Sequence, residues 1–378
     1  MTAASPPVDT RDPINAAILA TSEDRLEGFY ADPLGEIAAR SCVDLEVVIE
    51  RLRAMLAAGT IRRIRQTFLT TRLAAGALVA WKLPPERLEP AFDYMFEADP
   101  FSGHVVLRST DSASPGADFR LWTTLKVPQG FSIERHCDYL AARVGAEAYR
   151  LMPARCLFVL GVGHVRRRGM EPGARSEAPA DVTWTNVLDL NEREWRLLEA
   201  LKRELTPAEI GPGLWERRAA EAGLPLPEFL ATAKELERRG LMGRFSTFLE
   251  HVKPLADGDR VTRYNALFHW AVPEGREVEA GREVGRHHIL THAYWREAGP
   301  EFGNVNVMGV THGIEKGAVL AHKDAIDAHL REQGIEVGYT NVFWGGRSEI
   351  KPSEVMPSAY ERWCERESID AAAMRVEA

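Results

Sequence analysis

LRAMLAAGTIRRIRQTFL (Leu52–Leu69) and LERRGLMGRFSTFL (Leu236–Leu249) are two versions of one motif, a helix end, a glycine stop and a strand. Aligned on Gly59 and Gly240, Arg63 meets Arg244 and Ile64 meets Phe245. Downstream, ALVAWKLPPER (Ala77–Arg87) is answered by ALFHWAVPEGR (Ala266–Arg276), with Trp81 facing Trp270 and Pro84 facing Pro273. A match that persists on both sides of the glycine is the mark of an internal repeat, so the chain carries one structural plan twice.

Each copy opens with three helical patterns. In the first they cover Ile14–Ser22, Leu34–Arg40 and Leu45–Ala58, with apolar residues at three- and four-residue spacing and Gly59 as terminator. In the second they cover Glu192–Leu205, Trp215–Ala222 and Glu228–Arg239, with Asn191 as N-cap and Gly240 as terminator. Strand, helix, strand, strand, helix, strand then follows in both. The first copy places strands at Gly76–Leu83, His104–Thr110, Phe119–Val127 and Ala148–Val159, with helices near Glu86–Glu97 and Ile133–Arg143. The second places strands at Tyr264–Val272, Ile289–Trp295, Val305–Val310 and Glu336–Trp344, with helices near Arg276–Arg286 and Glu315–Gln333. The expected fold class is α+β, a tandem repeat of a winged helix-turn-helix unit and a ferredoxin-like βαββαβ sandwich. The expected division is a disordered stretch 1–13, a winged unit 14–70, a ferredoxin-like domain 71–165, a Gly, Pro and charge-rich linker 166–186, a second winged unit 187–250, a second ferredoxin-like domain 251–351 and a tail 352–378.

The chain has 378 residues, 45% hydrophobic and 27% charged, so a substantial core is affordable and disorder is excluded as a class. Acidic residues outnumber basic ones 55 to 47, and the net charge of −8 gives no general attraction to polyphosphate. Four cysteines without a CxxC point away from a disulfide framework or a thiolate zinc site and towards the cytosol. The first residues lack the pattern of a secretory signal, and no apolar run is long enough for a membrane span.

A winged tri-helical unit followed by a βαββαβ sandwich resembles the Lrp/AsnC regulators, and two in tandem look like a covalent pseudo-dimer. Finer residues point further. RFSTFLEH (Arg244–His251), YNALFHWAVPE (Tyr264–Glu274), THAYWR (Thr291–Arg296), FGNVNVMGVTHG (Phe302–Gly313) and GRSEIK (Gly346–Lys351) together resemble the sirohaem decarboxylases, Lrp-like enzymes of the alternative haem and haem d1 pathways. That resemblance implies removal of acetate carboxyl groups from sirohaem, in this chain by a fused two-half form. It implies no cofactor beyond the iron carried by the tetrapyrrole substrate, and a homodimer or a paralogous partner subunit as further possibilities. The first half is degenerate: at the positions of His251, Asn265, Tyr294 and His312 it has Thr70, Gly76, Val106 and Gln129, while His104 and Arg108 still match His292 and Arg296.

Six of the eleven histidines, His251, His269, His287, His288, His292 and His312, fall within 62 residues. Imidazole titrates close to neutral pH and suits the delivery of one proton. With the resemblance, His251 and His292 become the catalytic candidates. Strand alternation puts Asn265, Leu267 and His269 on one face, and His292, Tyr294 and Arg296 on another. Arg244, Asn265, His269, Tyr294, Arg296, His312 and Arg347 are the substrate-binding candidates, the arginines because a guanidinium binds carboxylate bidentately. His287 and His288 read as helix-end residues, His322 and His329 as a solvated helix face, and Trp81 and Trp270 as core. No dedicated metal motif is present. Two other functions compete: an Lrp/AsnC-type transcriptional regulator and a non-catalytic haem or tetrapyrrole-binding protein. DNA binding is disfavoured because the third helices begin with Asp44 and Glu46 in one copy and Pro225, Pro227 and Glu228 in the other, where phosphate contacts would be wanted.

Overall fold

A computed structural model describes residues 6–10, 12–23, 25–160, 169–249 and 263–377. In chain order the first half runs α1 (Pro13–Ser22), α2 (Pro33–Ser41), α3 (Leu45–Ala57), β1 (Ile61–Phe68), β2 (Ala74–Lys82), α4 (Leu88–Glu97), β3 (Ser102–Ser109), β4 (Leu121–Pro128), α5 (Ile133–Val144) and β5 (Ala148–Leu160). A two-residue strand, β6 (Thr183–Trp184), precedes α6 (Glu192–Lys202), α7 (Leu214–Glu221), α8 (Leu226–Arg238), β7 (Met242–Leu249), β8 (Tyr264–Ala271), α9 (Glu277–Gly285), β9 (Leu290–Arg296), β10 (Val307–Gly313), α10 (Lys316–Glu332), β11 (Tyr339–Ile350) and α11 (Pro357–Glu367). Two compact units result, each taking like parts from both halves: Met1–Leu73 with Leu188–Gly258, and Ala74–Val187 with Asp259–Ala378.

The first unit holds both tri-helical sets. Asp12, Asp32 and Asp44 accept from the first backbone N–H groups of α1, α2 and α3, and Asn191 and Glu194 form a reciprocal capping box on α6. Gly59 and Gly240 end their helical segments with φ of 79° and 71°, conformations that a side chain would strain. The expected wings take a different form. Each copy supplies one strand, and β1 pairs antiparallel with β7, Ile64 opposite Thr247. A single strand has two open edges, and the strand of the other copy covers one of them. Leu45 and Ile49 of α3 and Leu226 and Leu230 of α8 line one small cavity of about 210 Å³, so the third helices start side by side. The stretch expected to be disordered is partly tied down: Pro7 and Asp9 carbonyls accept from Asn15 Nδ2 and the Val8 carbonyl from Thr60 Oγ1.

In the second unit the two expected sandwiches are one closed barrel. Each half has ferredoxin-like order, β5-β2-β4-β3 and β11-β8-β10-β9, but β3 pairs with β11 and β9 with β5. The eight strands therefore close as an antiparallel ring, with β6 attached outside on β5. Closure removes four unpaired edges that separate sandwiches would have left, which is the physical reason for it. Trp81 and Trp270, both fully buried, point outward to the helices, and their indole N–H groups donate to Thr123 Oγ1 (3.0 Å) and Asp327 Oδ1 (2.6 Å). Alternation turns the other residues of each strand inward. One end of the interior is packed by Trp122, Leu267, Phe302, Met308 and Phe343.

Two stretches outside the repeated units pack against them. In the tail that follows β11, Tyr360, Trp363 and Cys364 of α11 are fully buried in the helix-side core of the first half, with Tyr360 Oη 3.0 Å from His136 Nδ1. The described part of the linker is largely exposed but held along α9, where Ser176 and Ala180 N–H groups donate to Arg286 and Arg282 carbonyls and Arg282 Nε donates back to the Ala180 carbonyl. No helix among the described residues is long and apolar enough to cross a membrane.

Candidate active site inside the barrel

The end of the barrel opposite the aromatic plug is hollow, with a cavity of about 840 Å³. Five strands build its polar wall. From the second half come Asn265 (β8), His292, Tyr294 and Arg296 (β9) and His312 (β10); from the first come His104 and Arg108 (β3) and Thr124 (β4). Arg263, Tyr264, Ser348 and Ile350 complete the mouth. No carboxylate is among the described lining residues. The charged side chains among the described lining residues are all basic, which is the electrostatics of an anion site.

β9 sets the reactive row. His292 and Tyr294 stack with ring centroids 6.0 Å apart and planes 12° from parallel, and the Arg296 guanidinium lies 4.6 Å from the Tyr294 ring centroid. Arg296 Nη1 donates to the Met152 carbonyl (2.6 Å), which holds the fork in place, and His292 Nδ1 lies 3.1 Å from Thr291 Oγ1. Burial lowers Arg296, with Tyr294 opposing the shift, and burial raises the Tyr294 phenol, so Tyr294 is a hydrogen-bond donor at neutral pH. Opposite, His104 Nε2 lies 2.8 Å from Ser348 Oγ, and Arg108 Nη1 donates to the Phe343 carbonyl (3.2 Å). Burial, then the Arg108 charge, then His292 push His104 down to about 4, and burial pushes Arg108 down to about 10. Lys126, inward on β4, is pushed down to about 8 by burial and by Arg296. An arriving anion opposes the downward shifts of Arg296, His104, Arg108 and Lys126.

The sequence-derived candidates separate into groups. Asn265, His292, Tyr294, Arg296 and His312 share the cavity. Arg347 lines its rim, but the residue sits in a bulge between Gly345 and Ser348, and its guanidinium is taken by Glu89 and Asp93 of α4, each at 2.5 Å, over the Phe92 ring. Arg244 belongs to β7 of the other unit, where its backbone exchanges hydrogen bonds with Thr67 Oγ1. His251 lies outside the described residues. His269 points inward as its strand phase requires, yet lies beneath the cavity with its ring among Trp122, Phe302 and Phe343. The first half contributes more than its degeneracy implied: His104 and Arg108 keep the strand phase of His292 and Arg296, and that spacing was the signal for them. The other histidines also move. His322 and His329 are buried rather than solvated, His329 Nε2 meeting Glu283 Oε2 at 2.6 Å, and His287 is buried while His288 stays exposed against Ser176. Among the described residues no three His, Cys, Asp or Glu side chains converge as a metal site.

His269 makes a testable contribution to stability. It is fully buried, neither ring nitrogen has a hydrogen-bond partner, and burial, then the Arg108 and Lys323 charges, push it down to about 3. The native protein thus refuses a proton that the unfolded chain accepts below about pH 6.5. Stability is intact above that value and is lost as pH falls from 6.5 towards 3, by about 2 kcal/mol at pH 5 for this one residue. Urea unfolding at pH 7 and pH 5 checks it: the loss between the two is smaller in His269→Leu than in wild type by that amount.

The AsnC-like ligand binding domain family matches residues 73–158. No curated protein matches the sequence. Among solved structures, the crystal structure of the siroheme decarboxylase NirDL is similar over 94% of this chain and 98% of that one, at 19% identity and a TM-score of 0.66. NirDL in co-complex with an iron-uroporphyrin III analogue covers 93% and 98%, also at 19% identity and 0.66. The chain thus resembles the siroheme decarboxylase NirDL in fold along nearly its whole length, and its first barrel half matches the AsnC-like ligand binding domain family.

Proposed function

We propose that this protein is a sirohaem decarboxylase-like enzyme that removes acetate carboxyl groups from sirohaem or a related iron tetrapyrrole, towards 12,18-didecarboxysirohaem. The observation that carries the reading is the barrel cavity, which gathers arginines and histidines from both halves and has no carboxylate among its described lining residues. Its volume lies near the top of the usual range of roughly 300–1,000 Å³ for small-molecule sites, as a macrocycle requires. A relative of the same fold crystallised with an iron-uroporphyrin III analogue supports the same ligand class.

In this reading Arg296 and Arg108 hold peripheral carboxylates, and Asn265, Tyr294 and His312 orient the reacting arm. The bond between the methylene and the carboxylate carbon breaks, its electron pair passes into the conjugated ring, carbon dioxide leaves, and His292 returns a proton to the methylene, which becomes a methyl group. Each event consumes one proton and releases one carbon dioxide, with no net oxidation. His251 remains a second proton-donor candidate on sequence grounds.

The regulator reading meets a geometric obstacle. Paired recognition helices reach successive major grooves when about 34 Å apart, whereas α3 and α8 begin at a single 210 Å³ cavity. Anaerobic incubation of the purified protein with sirohaem, followed by mass spectrometry of the ligand, tests the enzyme reading. The expected product is lighter by one or two carbon dioxide units; a ligand bound but unchanged in mass makes the protein a carrier instead.

A further inference from the structure

The most exposed large hydrophobic residues among those described are Ile350, at 74%, and Leu160, at 64%. Both end a strand, and the strands are those that close the barrel: β11 against β3, and β5 against β9. Ile350 pairs with His104 and Leu160 pairs with His292. Cross-strand partners project to the same side of a sheet, so each aliphatic side chain stands on the interior side of the barrel, above a cavity histidine. Ile350 itself lines the cavity. In the ring of eight strands β11 and β5 are four positions apart, so the two aliphatics face each other across the mouth. The order along each seam is therefore repeated: an exposed aliphatic, an imidazole, and four residues further along the histidine's own strand a buried arginine, Arg108 or Arg296.

Two exposed aliphatics over a cationic hole limit what fits. A small polar polyanion satisfies the arginines and leaves Ile350 and Leu160 in water. A flat protein surface covers the aliphatics and leaves about 840 Å³ of cationic cavity unfilled. A ligand with an uncharged flat body and carboxylates on its edge satisfies both. We propose that Leu160 and Ile350 form a two-sided apolar clamp that grips the body of a carboxylated ring ligand at the mouth while its carboxylates reach Arg108 and Arg296, selecting amphipathic polyanions over small polar ones. The inference rests on the tetrapyrrole reading and deepens it by naming what sets ligand selectivity.

The test compares Leu160→Ser, Ile350→Ser and the double variant of the full chain against two probes, uroporphyrin III by fluorescence and benzenehexacarboxylate by competition or calorimetry. Both residues are exposed, so the fold tolerates the changes. Burying a large aliphatic side chain contributes about tenfold or more in affinity, so each single variant is expected to weaken uroporphyrin about tenfold and the double variant about a hundredfold, with benzenehexacarboxylate unchanged. Equal weakening of both probes, or unchanged uroporphyrin affinity, overturns the clamp. So does a loss of self-association by light scattering with ring affinity intact, which makes the rim a protein contact. Wild type that binds benzenehexacarboxylate but no ring overturns it as well. Wild type that binds uroporphyrin through the clamp but leaves sirohaem intact refutes the enzyme reading alone.

Discussion

His292→Ala is expected to keep tetrapyrrole affinity within a few-fold of wild type and to lower kcat by about 10²- to 10⁴-fold, the usual contribution of a positioned proton donor. The ring faces the cavity from β9 and stacks on Tyr294, and its Nδ1 lies 3.1 Å from Thr291 Oγ1. Single-turnover conversion of sirohaem by mass spectrometry, with affinity measured separately by absorbance, checks both halves of the expectation. Full turnover in the variant removes His292 from the mechanism. Loss of affinity equal to the loss of rate makes it a binding residue instead.

The second large effect belongs to Arg296. Its guanidinium is buried, fixed by the Met152 carbonyl and stacked on Tyr294, so it has little freedom to lose when an anion arrives. Charge-assisted hydrogen bonds of this kind are worth about 1.5–3 kcal/mol, and Arg296→Ala should therefore weaken a carboxylated tetrapyrrole by roughly 10- to 150-fold. Arg296→Lys keeps the charge and loses the planar fork, so partial recovery is expected. Arg347→Ala is the contrast: its partners Glu89 and Asp93 already neutralise it, and ligand affinity should stay close to wild type. Thermal melting of all three variants separates affinity loss from misfolding; an Arg347→Ala effect as large as that of Arg296→Ala would relocate the anion site to the rim.

Local pattern made much of this visible in the residues. The two-fold repeat, the βαββαβ order and the faces of β8 and β9 all follow from short-range periodicity, and the side chains of Asn265, Leu267, His292, Tyr294 and Arg296 do point into one interior. What lay beyond such reasoning depends on distant pairing. Closure of the barrel rests on β3 meeting β11 and β5 meeting β9, and nothing within any of those strands states which edge will cover it. His269 shows the same limit: its phase was readable, but its depth was not, because depth is set by Trp122 and Phe343 arriving from other strands. Arg347 lies beyond the strand end expected at Trp344, and its ion pairs with Glu89 and Asp93 depend on a helix of the other half that no local pattern brings to it. The helix at Pro357–Glu367 was hidden because its apolar residues are few, although Tyr360 and Trp363 fill a core assembled by the first half.

Seam closure also bears on how the chain is made. A ribosome delivers β3 and β5 long before β11 and β9 exist, and β1 long before β7. The nascent first half therefore carries bare strand edges throughout synthesis of the second, and bare edges are templates for mispairing between neighbouring chains. Productive maturation then depends on the spacer between the halves keeping the late strands close at hand, which gives the covalent tether a kinetic role separate from anything it does for the finished molecule.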